Sequence, residues 1–385
     1  MKRFSDKLIK KLTVREEEKA LRKLSLQSDL VDFSSNDYLG FSKSKEIFQK
    51  AHQYLVENNL EQNGATGSRL LSGNHKLYDD VERLLCKFHN SEAVTIFNSG
   101  YDANIGLFSS VPQRGDVILY DELIHASIRD GIRLSNAKSF SYKHNNLEDL
   151  NEKVLRMTQN ESSIFVVTES VFSMDGDSPD LVAMSQMLKT QNAYLIVDEA
   201  HAIGVFGHLG CGEVQRLGLE NEVFARIVTF GKALGCHGAA IIGTKELKEY
   251  LVNFARSLIY TTALPPHSIA TIKMVYEQLV ALDDCEESPI KKLYRNIQYF
   301  KSELSRHKIQ QKFVESNSSI QCYIVSGNEK VKKAASLIRE KGFDVKPILS
   351  PTVSQGQERL RFCIHSYNSK KEIEEVLENL VNFVG

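Results

Sequence analysis

Apolar residues follow different rhythms along the chain, and each rhythm predicts a different kind of element. Tyr78, Val81, Leu84, Leu85 and Phe88 recur at helical spacing, which predicts a helix from Lys76 to His89. Short unbroken apolar runs come next: VTIF (94–97), VILY (117–120), IFVV (164–167), YLIV (194–197), IVTF (227–230) and AAII (239–242). Runs of this length, separated by helix-length segments, predict parallel strands buried on both faces, hence an α/β sheet covered by helices. Pro265 and Pro266 suit a helix entrance, and a periodic segment then runs from His267 to Leu282. In the last hundred residues, Ile320–Val325, Val345–Ile348 and Leu360–Ile364 read as strands. Lys330–Lys341 reads as a helix stopped by Gly342. A final helix, Lys370–Val384, opens with a capping box of Ser369 and Glu372. Residues 1–30 are charged throughout and predict a helical arm leading into the short stretch Leu30–Phe33. The expected division is an N-terminal arm (1–40), a large domain (41–285) and a small C-terminal α/β domain (286–385). A chain of 385 residues exceeds what one hydrophobic core usually serves.

Composition narrows the function classes. Lys plus Arg (48) nearly equals Asp plus Glu (49), so charge gives no reason to favour nucleic acid or an anionic membrane. No apolar run has signal-peptide or membrane-spanning length, which makes the cytoplasm the expected compartment. The six cysteines are scattered, without a C-x-x-C pair, and read as reduced thiols; no metal site is expected.

The chemistry gathers where the apolar runs end. VTIF leads into Asn98-Ser99-Gly100-Tyr101, VILY into Asp121 and His125, IFVV into Thr168-Glu169 and Ser173. YLIV leads into Asp198-Glu199-Ala200-His201, and IVTF contains Thr229 and leads into Gly231-Lys232. Carboxyl ends of strands in open α/β sheets face the ligand crevice, so five polar strand ends in succession describe one site. A lysine at a buried strand end loses its proton through desolvation and becomes a nucleophile toward a carbonyl. A buried Asp198 needs a cationic partner, and a pyridinium nitrogen is one. The letters DEAH also occur in helicase ATPases, but the upstream phosphate loop G-x-x-x-x-G-K-[ST] is missing. Gly100 and Tyr101, between a strand and the helical-looking 102–108, suit a phosphate cradle of free backbone N–H groups.

Together these residues resemble the α-oxoamine synthases, a branch of the fold-type I pyridoxal-phosphate enzymes. The stretches that carry the resemblance are FSSNDYLGFS (33–42), NGATGSRLLSG (63–73), FNSGYDAN (97–104), DELIHAS (121–127), TESVFSMDGD (168–177), VDEAHAIGVFG (197–207), TFGKALGCHGAA (229–240), IYTTALPP (259–266) and RLRF (359–362). The resemblance implies an α/β fold of the fold-type I transferase kind. Its large domain would hold a mostly parallel seven-stranded sheet covered by helices, next to a smaller C-terminal α/β domain. It implies pyridoxal 5'-phosphate held by Lys232 as a Schiff base, Asp198 on the ring nitrogen and His125 stacked over the ring. His201 and Ser173 would contact the phenolic oxygen, while Gly100, Tyr101 and Thr229 would hold the phosphate. Thr261 and Thr262 would reach the phosphate of a neighbouring subunit, which implies a homodimer with shared sites. Arg361 would bind the amino-acid carboxylate with Asn36 near it, and Arg22 and Thr352 would contact the acyl substrate or product. Ala202 stands where the family often has glycine. The stretch IYTTALPP, the chain length and PTV at 351–353 resemble family members that condense L-alanine with a pimeloyl thioester of coenzyme A or acyl carrier protein. Glycine with acetyl-CoA, and a non-catalytic partner subunit, stay open as alternatives.

Overall fold

The computed structural model describes residues 4–18, 21, 24, 29–157 and 162–384. Twelve strands are found among them: β1 (Val31–Asp32), β2 (Ala93–Phe97), β3 (Val117–Asp121), β4 (Lys138–Tyr142), β5 (Ile164–Glu169), β6 (Tyr194–Asp198), β7 (Ala225–Thr229), β8 (Ala239–Gly243), β9 (Ile320–Ile324), β10 (Phe343–Asp344), β11 (Lys346–Ile348) and β12 (Arg359–Cys363). Seven of them form one sheet in the order β2-β8-β7-β6-β5-β3-β4. Only β8 runs against its neighbours; the rest of this sheet is parallel.

Alternate residues of the central strands enter different cores. Val117 and Leu119 face one layer with Val154, Leu188 and Val197, while Ile118 and Ile196 face another with Leu107, Ile128 and Leu251. Apolar side chains on both faces are what made these strands legible as continuous runs. β4 is the exception. Its sequence KSFSY is exposed except at Tyr142, and it pairs on one side only, with β3. An edge strand with no buried face leaves no apolar run to read.

The predicted elements of the last hundred residues form β9, β11, β12, the helix Asn328–Glu340 and the helix Lys370–Val384. The three strands make a separate antiparallel sheet, β11-β12-β9. The expected capping box is present: the Glu372 carboxylate accepts from the Ser369 N–H at 2.7 Å, and the Ser369 hydroxyl accepts from the Glu372 N–H at 3.2 Å. A helix not foreseen, Pro289–Arg306, is capped by Ser288. The arm supplies α1 (Asp6–Glu17), and β1 then pairs in parallel with β10, tying residues near the start of the chain to its last quarter. No helix among the described residues is long and apolar enough to cross a membrane.

Candidate active site

The ends of β2, β5, β6 and β7 and the helix starts beside them set the site. After β2, the Ser99 hydroxyl caps the helix Gly100–Ser110 by accepting from the Asp102 N–H at 3.0 Å. The Gly100 and Tyr101 N–H groups, in the first turn, stay free of intrahelical partners. A Cβ at Gly100 would lie 2.5 Å from the Thr229 hydroxyl oxygen at the end of β7, so glycine lets the two elements meet. Thr229 and this helix start thus share one small polar concavity. Asn98 reaches Thr261 Oγ1 at 3.0 Å and the Thr262 carbonyl at 2.6 Å, placing both threonines beside it within the same chain. The Tyr101 ring is half exposed, its hydroxyl donating to Asp130 at 2.7 Å.

Asp198 ends β6 and is buried. One carboxylate oxygen accepts from the Ala200 N–H at 2.9 Å, and the other accepts from the Asn104 amide at 2.9 Å. The Asn104 amide also donates to the Ser127 hydroxyl at 3.0 Å, and that hydroxyl meets His125 Nδ1 at 2.7 Å. Asp198 is therefore tied through Asn104 and Ser127 to His125. Beneath His125 lies buried Glu169, at the end of β5, accepting the His125 backbone N–H at 2.6 Å. Desolvation pushes the Glu169 carboxyl up to about 8, and the nearby Asp198 charge adds to the shift. Burial also lowers the His125 pKa, against the pull of Asp198.

Lys232 Nζ stands 2.7 Å from His201 Nε2, and His201 Nδ1 is 2.8 Å from the buried Tyr38 hydroxyl. Burial lowers the lysine to about 8, opposed by Asp198 and Glu169 and assisted by the positive Arg361. His201 is held well below its ordinary value by burial and by the lysine charge, so it is neutral. Arg361, on β12, is buried; its Nε donates to the Ser173 carbonyl at 2.7 Å and one Nη to Asn36 Oδ1 at 3.1 Å. Tyr38 also donates to Asn36 Oδ1, at 3.2 Å. A hydrogen-bonded path thus runs from Lys232 through His201, Tyr38 and Asn36 to Arg361.

Lys232, Asp198, His125, His201, Asn36 and Arg361 therefore form one hydrogen-bonded and electrostatically linked cluster, while Gly100 and Thr229 meet in the polar concavity that Tyr101 follows. Ser173 enters through its backbone carbonyl. Thr352 lies exposed beyond β11, with its N–H on the Leu349 carbonyl and no hydrogen bond to the pocket among the described residues. Arg22 lies outside the described residues. Sequence reasoning missed Asn104, Ser127 and Tyr38 as parts of the site, although each sits inside a quoted stretch. Glu169 was noted as a strand-end residue without a role. The Asn104 carbonyl oxygen is buried and without a partner, one polar atom left for a bound group. A phosphorylated pyridine aldehyde suits this donor set: an amine for the aldehyde, an acid for the ring nitrogen, an imidazole near both and free N–H groups for the phosphate.

The chain belongs to the aminotransferase class I and II family, which matches residues 28–380. Among its relatives, the 8-amino-7-oxononanoate synthase of Emericella nidulans is 40% identical over 98% of this chain and 95% of the relative. Serine palmitoyltransferase from S. paucimobilis, solved with a bound PLP–myriocin aldimine, superposes with a TM-score of 0.87 at 25% identity, covering 98% of this chain and 96% of that one. The 8-amino-7-oxononanoate synthase of Francisella tularensis gives a TM-score of 0.77 at 28% identity over 93% of this chain and 98% of the other.

Proposed function

We propose that this protein is a cytoplasmic, pyridoxal-phosphate-dependent acyltransferase that condenses L-alanine with a pimeloyl thioester. The products would be 8-amino-7-oxononanoate, a precursor of biotin, with CO2 and the free thiol carrier. The observation that carries the reading is the meeting of a lysine lowered to about 8 with an arginine already braced for a carboxylate by Asn36 and Ser173. The relatives named for this activity, similar over nearly the whole chain, support the choice of substrates.

The cofactor, when bound, supplies a carbonyl for the lysine and a ring that accepts the electron pair left by proton and carboxyl loss. The chain's residues do the rest. Asp198, fixed by Asn104 and the Ala200 N–H, keeps a proton on the ring nitrogen. His125 would cover the ring face, and His201 and Ser173 would address the phenolic oxygen. The N–H groups of Gly100 and Tyr101 and the Thr229 hydroxyl would hold the phosphate, completed by Thr261 and Thr262 of a second copy in a homodimer. Arg361 and Asn36 orient the carboxylate of L-alanine, which brings its α-proton to Lys232. With a pKa near 8, a useful fraction of Lys232 is neutral at physiological pH and able to take that proton and later return one. Arg22 and Thr352 would contact the acyl chain, delivered on coenzyme A or an acyl carrier protein.

Side-by-side assays of L-alanine and glycine with pimeloyl and acetyl thioesters test the reading. Product should form best from L-alanine and the pimeloyl donor; a preference for glycine with acetyl-CoA overturns it. Lys232→Ala should purify without the visible absorbance of lysine-bound cofactor and without turnover.

A further inference from the structure

Away from Lys232, a second group of ionisable side chains lies buried, and nothing in the proposed chemistry uses it. His144, in the turn after β4, sits between two carboxylates. Its Nδ1 is 2.9 Å from Asp121 at the end of β3, and its Nε2 is 2.8 Å from Asp177 in the loop after β5. Asp121 is fully buried, whereas His144 and Asp177 are each about a fifth exposed. The Phe172 ring packs nearly perpendicular to the imidazole, with centroids 4.5 Å apart at 87°. Asn145 braces both acids, its N–H on Asp121 at 2.9 Å and its amide on Asp177 at 2.8 Å. Glu122 accepts the His144 N–H at 3.1 Å. Two carboxylates, one on each ring nitrogen, require a ring that donates from both, which is the imidazolium.

What this cation joins gives it a purpose. Asp121 begins the turn that carries His125: its carboxylate accepts the Leu123 N–H at 2.8 Å and its carbonyl the Ile124 N–H at 3.2 Å. Asp177 closes the loop 172–177, its carbonyl accepting the Phe172 N–H at 3.0 Å. The far side of that loop grips the three-stranded sheet. Arg361 donates to the Ser173 carbonyl at 2.7 Å, and Arg359 donates to the Met174 carbonyl at 3.1 Å and pairs with Asp175. The Gly176 carbonyl accepts from Ser316 at 2.8 Å and Ser318 at 2.9 Å. The loop thus has two anchors, and one of them is His144.

We propose that His144 is a positioning residue, an ionic staple between Asp121 and Asp177 that fixes the loop seating Arg361 against the sheet end that bears His125. The inference rests on the proposed function for the identity of the amino acid. His125 has an independent anchor in Glu169, so loss of the staple falls chiefly on the loop and on carboxylate binding. Small displacements of a positioning group carry large kinetic costs.

The test compares three variants with wild-type holoenzyme. His144→Gln and Asp177→Ala should keep bound cofactor and raise the KM for L-alanine about tenfold or more, with a smaller change in kcat. Asp177→Asn retains an acceptor for the ring and should lie between them and wild type. A merely structural role would lower the melting temperature of all three while KM stays within about twofold of wild type, and that result overturns the proposal. If His144→Gln fails to fold, Asp177→Ala, which leaves the contact of His144 with buried Asp121 in place, still decides. Wild-type turnover with L-alanine and pimeloyl thioester tests the function separately. If wild type rejects L-alanine, the function fails, and the staple is read from spectral titration of the same variants with whichever of glycine or L-serine the wild type binds. Equal binding by wild type and Asp177→Ala overturns it there too.

Discussion

Glu169 is an acid that burial keeps protonated: with its carboxyl near 8, it is mostly neutral at pH 7 while accepting the His125 N–H. A neutral isostere should therefore serve. Glu169→Gln is expected to retain cofactor and most turnover, whereas Glu169→Ala leaves a backbone N–H unsatisfied and should cost about 1–3 kcal/mol, read from denaturant midpoints. Equal losses in the two variants would contradict this. His144 makes the opposite use of burial. Desolvation disfavours its charge, yet the flanking Asp121 and Asp177 raise it from 6.5 to about 10. A histidine raised on folding stabilises fully below its unfolded value and progressively less as pH climbs toward the folded one. The melting-temperature gap between wild type and His144→Gln should accordingly shrink from pH 6.5 to pH 10, and a gap that grows would rule out the imidazolium.

Among elements, what the sequence discloses depends on how many faces an element buries. The six strands read as apolar runs, β2, β3 and β5 to β8, are buried almost throughout, so position and type were both evident. β4, exposed at the sheet edge, was not. The helix Pro289–Arg306 went unrecognised although Ser288 and Pro289 mark its entrance. The site shows the same division. Residues at strand ends were legible because a parallel sheet points them all one way. Asn104 and Ser127 lie inside the helices Gly100–Ser110 and Ala126–Leu134, and their contact with Asp198 and His125 depends on how those helices pack, which no local pattern encodes. The capping box of the last helix was legible because it is local. Ser369→Ala should cost about 1 kcal/mol of stability, measured by urea unfolding, and leave the KM for both substrates unchanged.

For the whole molecule, the proposed sharing of Thr261 and Thr262 between subunits would make cofactor retention depend on association. Sedimentation should give a dimer, and dilution into monomers should release cofactor; a monomer that keeps it tightly would refute the shared site. The contact between Asn36 and Arg361 spans 325 positions of the chain, and β1 rests on β10. A ribosome-bound chain emerges from its amino end and folds as it goes. With β2 to β8 already outside, Lys232, Asp198 and the proposed phosphate cradle are all synthesised, while the guanidinium proposed to grip the amino acid is still to come. The residues proposed for the cofactor are thus complete in the growing chain before the one proposed for the carboxylate, and a product truncated before residue 359 would have no grip on that carboxylate.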